Sequence, residues 1–93
     1  MKFEWNIQKA AKNLRKHGVS FSEAATVFGD DLAAIIADPD HSTDEDRYIV
    51  IGLSNHRRLL MVAYTERDDT IRIISARELT LAEQKAYEEK KLD

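Results

Sequence analysis

Three arginines around one hairpin are the residues of this chain best suited to chemistry. Arg67 stands between two β-rich segments, and Arg72 and Arg77 lie within and at the end of the second. A guanidinium offers a planar fork of donors that matches phosphate or carboxylate and stays charged at any ordinary pH. Such groups can grip a phosphodiester and stabilise the extra negative charge of its transition state. Strand alternation puts Arg77 on the face of Ile71, Ile73 and Ser75, and Arg72 on the opposite face with Ile74 and Ala76. The two then meet in one pocket only if the strand bends or one side chain turns round an edge. The competing account pairs each arginine with a nearby acid such as Glu66, Asp68 or Glu78.

His17 is the second candidate. A histidine in the last turn of a helix caps carbonyls and suits the dipole, yet its ordinary pKa also fits general acid or base work. Tyr64 is a substitute proton carrier. Lys9, Lys12 and Lys16 fall on one helical face at i, i+3 and i+7. That face is either a solvated side or, if it borders the arginines, a track for a phosphate backbone. His41 and His56 have no supporting context. Asp38, Asp40, Ser42 and Asp44 imitate the start of a calcium loop, but Thr43 and Ile49 stand where that loop needs Gly and Glu. With five carboxylates between Asp38 and Asp46, the segment reads as a solvated acidic loop or a docking site for a basic partner. No phosphate-binding glycine loop, nucleophile elbow or zinc motif occurs, and without any Cys there is no thiolate chemistry. No metal and no cofactor is expected.

These side chains must be held by a small frame. Ninety-three residues suffice for one domain, residues 1–93, and 43% hydrophobic with 33% charged residues is globular composition. No apolar run approaches a membrane span, and the start lacks a signal-like stretch, so the expected place is the cytoplasm. The net charge of −3 speaks against a general nucleic-acid binder. Its distribution is uneven: between His17 and Gln84 there are six arginines and no lysine.

Phe3 and Trp5 suggest a short strand. Asn6 caps a helix ending at Gly18, with Ile7, Ala10, Ala11 and Leu14 as its apolar stripe. Ser20 and Glu23 form a capping box for a second helix with Phe21, Ala24, Ala25 and Phe28 inward. Residues 32–37 read as a strand, and 47–55, 58–66 and 70–77 as three more joined by hairpin-length links. Thr80 and Glu83 open a last helix whose stripe is Leu79, Ala82 and Ala86. The order β-α-α-β-β-β-β-α describes an α+β domain, a mainly antiparallel sheet with helices on one face.

Several stretches resemble the BrnT toxin family. They are Phe3-Glu4-Trp5, then Lys9, Asn13, Lys16-His17-Gly18-Val19-Ser20-Phe21 and Glu23-Ala24, followed by Asp38 to Ser42 and Arg47 to Gly52. The longest is Thr65-Glu66-Arg67 with Ile71 to Arg77. Asn6 and Glu78-Leu79 depart from the family pattern, and the second departure removes positive charge beside the expected site. The resemblance implies a toxin of a type II toxin–antitoxin pair with a fold similar to RelE ribonucleases. It also implies an RNA substrate, mRNA on or off the ribosome. The partner implied is a BrnA-type ribbon-helix-helix antitoxin, through whose complex alone operator DNA is bound.

On that reading the chain is an endoribonuclease needing no metal, because the 2′-OH of RNA can attack its own phosphate. Arg67 and Arg77 clamp the phosphate, Arg72 is a third clamp or an ion-pair partner, and His17 moves a proton. Lys9, Lys12, Lys16, Tyr64 and Ser75 bind substrate. The alternatives are a non-catalytic module whose arginines dock an acidic protein, and a metal-dependent hydrolase built on the acidic loop.

Overall fold

Local signals start each N-terminal helix, as the sequence requires. The computed structural model describes residues 1–39 and 46–92. After β1 (Lys2–Glu4) the Asn6 side chain accepts from the Lys9 N–H and opens α1 (Ile7–His17). Gly18 closes α1 at φ 69°, a left-handed conformation that only glycine adopts freely, with its N–H on Leu14 O. Ser20 opens α2 (Phe21–Thr26), which passes into a 3-10 turn (Val27–Gly29). Four strands follow: β2 (Ala34–Ala37), β3 (Arg47–Leu53), β4 (Leu59–Arg67) and β5 (Thr70–Glu78), then α3 (Leu81–Leu92). The expected element order holds. Asp40, His41, Ser42, Asp44 and Glu45 of the acidic loop lie outside the described residues.

The sheet order is β1-β5-β4-β3-β2, antiparallel except for β1 alongside β5. One face buries Val50, Leu60, Val62, Tyr64, Ile71, Ile73 and Ala76 against Val19, Phe21, Ala24 and Val27. A ladder of rings, Phe3, Phe28, Tyr64 and Tyr48, runs along the rim of this core with centroids 4.9 to 5.7 Å apart. Gly52 is where the 3-10 turn presses on the sheet: a Cβ there would lie 2.9 Å from Ala33 Cβ and 3.1 Å from Val27 Cγ1.

Two helices show unexpected faces. Ile7 and Leu14 are exposed, and α1 turns Ala10, Asn13 and His17 toward the sheet instead. The reason is Asn13, whose side chain fills hydrogen bonds that no apolar residue can. On α3, Ala82 and Ala86 are exposed while Glu83, Gln84 and Tyr87 are half-buried. Glu83 holds Arg77, and the Tyr87 hydroxyl donates to Leu32 O at 3.2 Å. Arg77 lies opposite Met61, on the face turned away from Leu60 and Val62. So α1 and α2 share one face as expected, and α3 is tethered across the other by polar contacts.

Candidate functional site

β5 carries the decisive irregularity. Its register against β4 slips between Ala63 and Tyr64: Ser75 pairs with Ala63, but Tyr64 pairs with Ile73, so Ile74 is an extra residue. A bulge of this kind reverses the alternation beyond it. Arg72 opposite Thr65, Ser75 opposite Ala63 and Arg77 opposite Met61 therefore all stand on the face away from the core. The expectation of Arg72 and Arg77 on opposite faces is corrected, because regular alternation does not survive the bulge. Ile71 and Ile73, expected beside Arg77, are buried in the core.

The same segment meets α1. β1 covers only the Thr70–Arg72 end of β5, and the Asn13 amide takes over at Ala76. Its Nδ2 donates to Ala76 O at 2.8 Å and to Val19 O at 2.9 Å, and its Oδ1 accepts from Ala76 N–H at 3.1 Å. One side chain thus stands in for a neighbouring strand. The hollow beside it is lined by Lys9, Lys12, Asn13, Lys16, His17, Ile74 and Ser75. Three lysines, a histidine and a serine share that lining, with no carboxylate among them. An anion of phosphate size is what that charge balance suits.

The foot of α1 is held by a second network. Arg58 pairs with Glu23, its Nε 2.9 Å from Oε2, and its Nη2 donates to Gly18 O at 3.1 Å. Ser54 Oγ donates to the same carboxylate at 2.7 Å. Arg58 holds the Glu23 carboxyl below the usual carboxylate range. Glu23 was expected to complete a capping box. Its N–H does bond Ser20 Oγ, but the buried carboxylate is taken by Arg58 instead.

The arginines do not gather at one point. Arg67 pairs with Thr70 at the hairpin tip, and from there to Arg77 β5 runs seven residues, about 23 Å at strand rise. Arg67 and Arg77 do not bridge that span onto one phosphate, whereas Arg72 lies diagonally across from Arg67 on the same face. Arg67 is exposed and forms no ion pair among the described residues. Arg72 lies 3.6 Å from Glu4, and Arg77 grips Glu83 with both nitrogens at 2.7 and 3.0 Å. Neither partner is among the acids anticipated for them. Arg77 and the Thr80 N–H pull Glu83 down to about 2. Tyr64 is in the core, 4% exposed, and burial raises its pKa, which suits packing better than proton transfer near neutrality. Asn13 was missed as a site residue. The available signal was a polar side chain flanked by lysines at helical spacing from Ala10 and His17. Among the described residues no cluster of three or more His, Asp or Glu could hold a metal ion, and no helix is long and apolar enough to cross a membrane.

Comparison with known proteins agrees with this architecture. The model of the ribonuclease toxin BrnT of type II toxin–antitoxin systems matches residues 5–83. The 1.1 Å crystal structure of the Brucella abortus ribonuclease toxin BrnT superposes with a TM-score of 0.67, covering 86% of this chain and 97% of that one at 24% identity. No curated protein sequence matches. With four-fifths of its length inside the family pattern, the chain belongs to the BrnT ribonuclease toxin family of type II toxin–antitoxin systems.

Proposed function

We propose that the chain is an endoribonuclease acting without metal, and that the hollow between α1 and β5 holds the scissile phosphate. The observation that carries this is that Lys9, Lys12, Lys16, His17 and Ser75 line one hollow with no carboxylate, in a chain of net charge −3. Positive charge concentrated in one hollow serves a single linkage where the whole surface does not. The 2′-oxygen attacks phosphorus, the P–O5′ bond breaks, and a cyclic phosphate and a 5′-hydroxyl result. His17 takes the proton from the 2′-OH, one lysine ammonium of the hollow gives a proton to the departing O5′, and the other lysines balance the charge gathered on the phosphoryl oxygens. Ser75 donates to one of those oxygens. Arg72 and Arg77 share the outer face of β5 with Ser75, outside the lining of the hollow, Arg77 being free for RNA only when Glu83 lets go. Arg67 touches RNA further along, away from the bond that breaks. Family membership supports a neutralising antitoxin, which we take to be a BrnA-type ribbon-helix-helix protein that alone confers operator binding. The substrate on this reading is mRNA in the cytoplasm.

Purified protein incubated with RNA in EDTA tests the reading. Cleavage leaving cyclic phosphate ends is expected, falling roughly 10²-fold in Lys12→Ala and in His17→Ala with folding unchanged by circular dichroism. Full activity in both variants refutes the placement of the site. Activity abolished by EDTA refutes metal independence. No cleavage under any condition, with a tight protein complex still formed, favours the non-catalytic module.

A further inference from the structure

The sheet ends in two outer strands, β1 and β2, and they are guarded unequally. β1 sets Lys2 and Glu4 around Phe3, and the edge of β5 beyond it is closed by Asn13. β2 is Ala-Ile-Ile-Ala, with no charge, proline or bulge. Exposed strand edges recruit other chains unless such devices blunt them.

The backbone of β2 is set for pairing. Asp38 N–H donates to Arg47 O at 3.0 Å, which makes that a hydrogen-bonded pair. Antiparallel alternation then turns Ala34 and Ile36 toward β3 and leaves the N–H and C=O of Ile35 and Ala37 pointing outward. Among the described residues no strand lies beyond them. The side chains agree. Ile35, opposite Val50, is 60% exposed on one face, and Ile36, opposite Ile49, is 48% exposed on the other.

Charge selects the occupant. Exposed Asp31 precedes β2, and exposed Asp46 stands just before β3, beside the far end of β2. Two copies paired antiparallel through Ile35 and Ala37 would bring the Asp46 end of each toward the Asp31 end of the other. A segment with basic ends meets no such repulsion. We propose that β2 receives, as a further antiparallel strand, an extended segment of a partner protein that is apolar at its centre and carries Lys or Arg at its ends. This rests on the sheet edge and not on the RNA chemistry.

The test titrates the isotope-labelled protein with a synthetic peptide of alternating valine and threonine bearing a lysine pair at each end. The same peptide with glutamate ends is the control. The Ile35 and Ala37 amide resonances are expected to shift and gain protection from exchange. The lysine peptide should bind at least about tenfold more tightly than the control, as several edge ion pairs together provide. Ile35→Lys, an exposed change that keeps the fold, should abolish binding without altering RNA cleavage. The proposal is overturned if neither peptide binds, if the two bind equally, or if shifts fall elsewhere. Sedimentation as a dimer that Ile35→Lys dissolves would assign the edge to a second copy and overturn it too.

Discussion

Replacing Asn13 by alanine removes all three bonds through which α1 closes the free edge of β5. The groups left behind are the N–H and C=O of Ala76 and the C=O of Val19, in residues that are at most 1% exposed. A buried polar group deprived of its partner costs about 1–3 kcal/mol. The hollow beside Asn13 admits some water, so the low end applies to each, and Asn13→Ala should lose about 3 kcal/mol. For a domain of this size that lowers the melting temperature by roughly 12–20 °C. Urea denaturation read by the fluorescence of Trp5, packed edge-on against Phe21 with centroids 6.0 Å apart, measures it directly. Asn13→Asp keeps the acceptor for Ala76 N–H but turns a carboxylate on two carbonyls. It should be no better at neutral pH and partly rescued near about pH 4, where the acid is protonated. A loss under about 1 kcal/mol in Asn13→Ala would refute the idea that this amide holds α1 in place.

Arg58→Ala strands the buried Glu23 carboxylate and should cost about 3 kcal/mol by urea titration, with Glu23→Gln restoring part of it in the double variant. Glu83 titrates at about 2 in the fold against its ordinary 4.5, so its stabilising effect is complete above pH 4.5 and fades as pH falls toward about 2. The pair is a third exposed, and solvent screening leaves about 1 kcal/mol; acid titration of wild type against Glu83→Gln should show that difference vanish below about pH 2. Gly52→Ala forces a methyl onto Ala33 and Val27 and should cost about 1–3 kcal/mol in thermal melts.

The elements were legible because their signals are local. Asn6, Gly18, Ser20 and Thr80 mark helix ends within a few residues, and Asp68-Asp69 turns a hairpin. What was hidden depends on residues distant in sequence. Ile7 and Leu14 make the apolar stripe of α1, yet a bond between Asn13 and Ala76, 63 positions away, decides which side faces inward. The pair of Thr80 and Glu83 reads correctly as a capping box, since each backbone N–H meets the other's side chain. The second duty of Glu83 toward Arg77 leaves no trace in spacing. For the site, Lys9, Lys12 and Lys16 do border the β5 segment carrying Ser75 and lie with His17, as their helical face permitted. The faces of Arg72 and Arg77 were hidden because the bulge has no signature in the run Ile71-Arg72-Ile73-Ile74.

The supernumerary Ile74 makes β5 two half-strands phased separately, each with residues turned inward and outward. Excising that isoleucine would leave every named side chain facing the way it does now, with the interior residues still inward. What would vanish is Ile74 itself, one of the two β5 residues that line the hollow beside α1. Such a shortened chain would keep Lys9, Lys12, Lys16, His17 and Ser75 while altering the wall they share, separating the shape of the hollow from its inventory of charges.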